Sequence, residues 1–315
     1  MDAWLIGATS LGGLVALFFG ARWLVGAASD IARRLGVSPL LIGLTVVAVG
    51  TSLPELFVAV SASLGGHPGV SLGNVIGANA LNIGLILGIA ALVRPIEVSL
   101  RVLKWDLPVL FAATALLASF AADAEVGRAE GGLLLGAMVA YLALNITLGR
   151  RERKASALSG AIETPHAASI LGDVARGAAG ALTLAVGARL LIDGALGVAA
   201  LLGVSDGVVG MTLVAVGTTL PELVTTLVAA ARRQGDLAFG NIIGSNINNA
   251  LTVVGAAATV APLAASDVSR APMYALLGLT LLAAPVMWRG FVINRWEGGL
   301  LVCGYAAFLW VGLGG

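Results

Sequence analysis

The chain has 315 residues, of which 58% are hydrophobic and only 11% charged, with a mean hydropathy of +0.99 and a net charge of +1. A soluble domain of this size carries charge on about a quarter of its residues, so these values exclude an ordinary soluble protein. The near-neutral balance also gives no footing for nucleic acid, and the lone Cys303 excludes an internal disulfide and a thiol metal cluster.

Uncharged runs of about 20 residues match a hydrocarbon core roughly 30 Å thick, and a helix satisfies its own backbone groups there. The runs lack the short alternation of an outer-membrane barrel. The expected fold is therefore an all-α polytopic membrane protein with about ten transmembrane helices. They are placed near 3–24, 39–62, 71–93, 105–121, 130–149, 170–192, 207–230, 238–260, 271–288 and 298–314. No positive leader with a cleavage site precedes the first, so it is expected to be retained.

Basic residues follow alternate spans: Arg33 and Arg34, then Arg94, Arg101 and Lys104, then Arg150, Arg151, Arg153 and Lys154, then Arg232 and Arg233, then Arg289 and Arg295. The intervening loops are poor in positive charge. Positive loops face the cytoplasm, which puts both termini outside a cell inner (plasma) membrane. Trp4, Trp23, Trp105, Trp288, Trp296 and Trp310 fall near span ends, as interface anchors do. Arg22 and Arg189 lie far enough along their helices to snorkel, with Asp193 as the expected partner of Arg189.

The informative stretch lies in the second span. Gly43-Leu-Thr-Val-Val-Ala-Val-Gly-Thr-Ser-Leu-Pro-Glu55 recurs without gaps as Gly210-Met-Thr-Leu-Val-Ala-Val-Gly-Thr-Thr-Leu-Pro-Glu222. At the same offset, Gly73-Asn-Val-Ile-Gly-Ala-Asn79-Ala-Leu-Asn82 answers to Gly240-Asn-Ile-Ile-Gly-Ser-Asn246-Ile-Asn-Asn249. An odd number of spans per half makes equivalent helices run in opposite directions, giving two inverted five-helix repeats. These are 1–149 and 169–315, joined by a cytoplasmic linker at 150–168. Inverted repeats with interrupted helices place ion sites near the midplane.

These paired motifs resemble those of the sodium/calcium exchanger family, within the calcium/cation antiporter superfamily, in its short prokaryotic form. The resemblance implies ion ligands between the second, third, seventh and eighth helices. Glu55 and Glu222 would be the central carboxylates, with Thr51, Ser52, Thr218 and Thr219 supplying hydroxyls or nearby carbonyls. Ala48 and Ala215 would supply carbonyls, and Asn82, Ser245 and Asn249 would complete the shell. Two departures stand out: family members often carry serine where this chain has Ala78, and many carry aspartate where it has Asn249.

The residues independently favour a hard cation. Calcium takes six to eight oxygens at about 2.3–2.6 Å, and no His or Cys lies in the motifs to hold a softer metal. Two carboxylates balance one divalent ion. Removing it leaves like charges in low dielectric, so the site is expected to refill with sodium or protons before it moves. The expected function is secondary antiport of calcium against sodium, without cofactor or enzymatic activity, by a monomer in the bilayer. Calcium/proton exchange at the same site is the alternative; a cation channel fits an inverted repeat less well. Asn79 and Asn246 are expected to hold the broken helices rather than touch an ion, and His67 to be an ordinary loop residue.

Overall fold

The computed structural model describes residues 3–34, 44, 48–122, 125–157, 170–231, 235–264 and 270–314. It is built from helices, as lipid requires of a backbone that must satisfy itself. In chain order these are α1 (Ala3–Arg34), α2 (Ala48–Thr51), α3 (Leu53–Leu64), α4 (Pro68–Val93), α5 (102–122) and α6 (Arg128–Ala157). There follow α7 (Ile170–Leu202), α8 (Asp206–Thr218), α9 (Leu220–Ala231), α10 (235–260), α11 (Arg270–Trp288) and α12 (Arg295–Gly314).

The inverted repeat is visible in which glycines meet. Gly13 of α1 abuts Gly187 of α7, and Gly20 abuts Gly180, while Ser10 meets Gly194 and Ile6 meets Gly197. Partner numbers fall along α7 as they rise along α1, so the two helices are antiparallel. The same twofold relation recurs deeper in the protein. Gly77 packs on Met211 and Ala215, and Gly244 packs on Leu44 and Ala48; Gly88 meets Gly298, and Gly131 meets Gly255. Small residues permit these approaches, which drive helix association where no hydrophobic effect operates between helices.

Helices α4 and α10 form the centre. Every residue from Gly69 to Ala80 is buried, and so is every residue from Ala238 to Leu251. The outer helices instead present Leu11, Leu133, Val139, Leu171, Leu182 and Leu281 outward as a lipid-facing surface. All six tryptophans are exposed. Arg22 and Arg189 are exposed too, and Arg189 pairs with Asp193 at 3.3 Å, as their spacing predicts.

The all-α reading holds, and some element bounds differ from it. Two short antiparallel ribbons join the helices: β1 (Ile96–Glu97) pairs with β4 (Val292–Ile293), and β2 (Glu125–Val126) with β3 (Leu263–Ala264). Each ribbon ties one half to the other, and two-residue strands leave no periodicity to detect. Helix α1 runs on to Arg34 rather than ending near 24, and α6 continues to Ala157, into the segment read as a linker. At 1.5 Å per residue the 32-residue α1 is about 48 Å long, longer than the hydrocarbon core. The rest of that linker, and residues 35–43 of the predicted second span, lie outside the described residues.

The close α1–α7 contact gives a direct test. A Cβ at Gly13 would stand 2.6 Å from the Leu191 amide nitrogen and 2.9 Å from the Gly187 carbonyl oxygen, both backbone atoms. Gly13→Leu is expected to lower the melting temperature of the purified protein by about 5 °C or more. Gly7→Leu, where a Cβ meets nothing within 4 Å, is expected to leave it unchanged.

Candidate functional site

The duplicated motif breaks its helix twice, in the same way. Proline has no amide hydrogen and its ring crowds the carbonyl four residues back, so Pro54 and Pro221 end one helix and start another. Ser52 sits at φ −80°, ψ 7° between α2 and α3, and Thr219 at φ −83°, ψ 3° between α8 and α9. The second break bends the helix axis by 43°. Each glutamate thereby falls in the first turn of a new helix, where the positive end of the helix dipole favours an anion.

Around the breaks, polar side chains form two hydrogen-bonded clusters that are entirely buried. In one, Thr219 Oγ1 donates to Glu55 Oε1 at 3.2 Å and lies 2.6 Å from the Ala215 carbonyl. Thr218 Oγ1 contacts the same carbonyl at 3.3 Å and Asn74 Oδ1 at 3.1 Å. In the other, Ser52 Oγ and Ser245 Oγ approach Glu222 Oε1 at 3.3 and 3.4 Å. Ser245 also meets Thr51 Oγ1 at 3.3 Å and the Ala48 carbonyl at 3.4 Å. Each cluster therefore joins a hydroxyl of one half to the glutamate of the other, and Ser245 adds a contact to Glu222 from its own half. The break turns Ser52 and Thr219 across the twofold axis.

Of the residues singled out from the sequence, Glu55, Glu222, Thr51, Ser52, Thr218, Thr219, Ser245, Ala48 and Ala215 are brought into these two clusters. Asn82 and Asn249 join neither. Both are fully buried, and the amide oxygen and nitrogen of each lack a hydrogen-bond partner. The second oxygens of Glu55 and Glu222 are likewise buried and unpartnered. Buried polar atoms are nearly always paired, so unpartnered atoms at matched positions of the two halves single out this place as the candidate site. Asn79 Nδ2 donates to the Asn246 carbonyl at 3.2 Å and Asn246 Nδ2 to the Ile242 carbonyl at 2.7 Å, the helix-holding role expected of them.

Two features escaped the sequence reading. Asn74 and Asn241, quoted in the motif but given no task, accept from Thr218 and Thr51; Asn241 also donates to Thr226 at 3.1 Å. Their duplication at a constant offset was the available signal. The second feature is a π-helical turn at Leu81–Ile86 and another at Asn249–Val253. Such turns re-aim side chains and cluster at functional sites; here they carry Asn82 and Asn249. Outside the site, His67 Nδ1 pairs with Asp206 at 2.7 Å rather than standing alone in its loop.

Comparison with known proteins agrees with this geometry. The family profile described as "Sodium/calcium exchanger protein" matches residues 6–147 and 174–314. The putative antiporter CaxA of Alkalimonas amylolytica is 37% identical over 303 residues, covering 94% of this chain and 95% of that protein. The sodium/calcium exchanger MaX1 of Methanosarcina acetivorans is 34% identical, covering 94% and 95%. A structure of the sodium-calcium exchanger NCX_Mj, soaked with Na+ and Sr2+, superposes with a TM-score of 0.71 at 33% identity, covering 97% of this chain and 98% of that one. With its fold, its duplicated motifs and its relatives in agreement, the chain belongs to the sodium/calcium exchanger family, whose members are multi-pass membrane antiporters.

Proposed function

We propose that this protein exchanges Ca2+ for Na+ across a cell inner membrane by alternating access, with both ions held between Glu55 and Glu222. The observation that carries the reading is the set of buried, unpartnered oxygens at mirror-related positions, two of them on carboxylates. A hard divalent cation asks for six to eight oxygens. The glutamates, the hydroxyls of Thr51, Ser52, Thr218, Thr219 and Ser245, the Ala48 and Ala215 carbonyls, and the amides of Asn82 and Asn249 supply that chemistry. One Ca2+ neutralises the two carboxylates. Once it leaves, their mutual repulsion in low dielectric penalises any movement until sodium enters. Exchange follows from that constraint, because only a neutralised site can cross between the two access states.

The loops rich in Lys and Arg support an orientation with both termini outside. Both halves of the site come from one chain, so a single protomer suffices. The names of the relatives favour sodium as the counter-ion over protons.

Two measurements test this. Purified protein in sodium-loaded liposomes is expected to take up Ca2+ when the sodium gradient points outward and to stop when that gradient is collapsed. Uptake driven by a pH gradient alone would replace the sodium reading with a proton-coupled one. Glu55→Gln and Glu222→Gln are each expected to lower Ca2+ transport by about a hundredfold or more, since calcium affinity follows ligand charge. Both variants should keep the wild-type elution volume in detergent. Transport near the wild-type rate in both would remove these residues from the site.

A further inference from the structure

The two ribbons are copies of one another at opposite ends of α5 and α11, and they carry different side chains. The β1–β4 ribbon lies where four helices end: α4 stops at Val93, α5 begins at Val102, α11 stops at Trp288 and α12 begins at Arg295. It holds two distant stretches of chain side by side, Ile96 opposite Ile293 and Glu97 opposite Val292, with both isoleucines buried. Around them Trp105, Trp288, Phe291 and Trp296 are exposed, as are Lys104, Arg289 and Arg295, while Arg94 is half-buried. The Arg289 guanidinium stands 5.7 Å from the centre of the Trp296 ring, a cation–π contact. Two acids belong to the same end. Glu97 is exposed, and Glu297 is buried and accepts from the Asn294 amide at 2.8 Å.

The backbone singles out Phe291. It has φ 55°, next to Gly290 at φ 73°, and no other non-glycine residue among the described ones has a positive φ. Bulky side chains avoid that region. The turn is fixed there because the Phe291 carbonyl accepts from the Val98 amide at 2.8 Å. Packing does not repay the strain, since Phe291 is 43% exposed.

The mirror ribbon, β2 with β3, shows that this backbone does not require these side chains. Where one end has Trp288, Arg289, Trp296, Lys104, Trp105 and Arg94, the other has Ala121, Ala122, Ala129, Ala271, Pro272 and Ala261. Only Arg295 keeps a cationic counterpart, Arg128. An aromatic belt by itself would decorate both ends alike. Rings and cations interleaved at the level where spanning helices end match a phospholipid interface, with rings at the headgroup boundary and cations on the phosphates.

We infer that the β1–β4 end of the molecule is a docking surface for anionic phospholipid, which it takes in preference to zwitterionic lipid. Arg289, Arg295 and Lys104 select the charge, and Trp288, Phe291 and Trp296 enter the interface beside them.

The test uses purified protein carrying Trp4→Phe, Trp23→Phe and Trp310→Phe, which leaves Trp105, Trp288 and Trp296 as reporters at this ribbon. In phosphatidylcholine vesicles it is given equal fractions of brominated phosphatidylglycerol or brominated phosphatidylcholine, and fluorescence quenching yields the relative association constant. One cation beside an anionic surface is worth roughly fivefold. The protein is expected to favour phosphatidylglycerol by about fivefold or more. Arg289→Gln combined with Arg295→Gln is expected to bring that preference below about twofold. Arg128→Gln, at the other ribbon, is expected to leave it unchanged. Equal quenching by the two lipids before any charge is removed overturns the inference and leaves the rings as a plain aromatic anchor. A preference that survives the double substitution overturns the assignment to these arginines. If the double variant loses the wild-type elution volume, Lys104→Gln takes its place, with a preference lowered at least twofold expected and an unchanged one counting against the surface.

Discussion

A carboxylate inside a bilayer has to be matched by a cation or a proton, and this chain buries two of them with no surface exposed to solvent. Much of the surrounding architecture follows from that constraint. Each glutamate occupies the first turn of a helix, where the peptide dipoles favour negative charge. Each gives one oxygen to hydroxyls from the opposite half and keeps the other unpartnered. A fully satisfied carboxylate would be a structural strut. These two are half-satisfied and buried, as are the unpaired amides of Asn82 and Asn249.

The inverted repeat gives this arrangement its mechanical form. Antiparallel copies of one broken helix bring two glutamates and two sets of freed carbonyls together, which a single copy cannot do. Glycine contacts repeated along the twofold axis, from Gly13 and Gly187 to Gly131 and Gly255, let the helices approach closely enough to exclude lipid from the polar centre. The two ribbons, β1 with β4 and β2 with β3, tie the halves where the chain leaves the helices. Symmetry at the level of fold coexists with differences in sequence: Ala78 stands at the position that Ser245 holds in the other half, and Ala59 at that of Thr226.

The sequence alone determined the membrane setting, the duplication and the identity of the carboxylates. Hydropathy, proline placement and a constant offset are local signals, and Pro54 and Pro221 break helices wherever they stand. Only the tertiary structure decided which groups meet. That Ser52 serves Glu222 and Thr219 serves Glu55 depends on the path of the helix across the break. That Asn74 and Asn241 brace the threonines depends on how α4 and α10 pack against it. The aim of Asn82 and Asn249 is set by π-helical turns, which leave no mark on composition or periodicity. Strands of two residues are equally silent. What is local in the chain was legible in it; what joins one half to the other was not, because contacts across a twofold axis belong to the packing and to neither motif by itself.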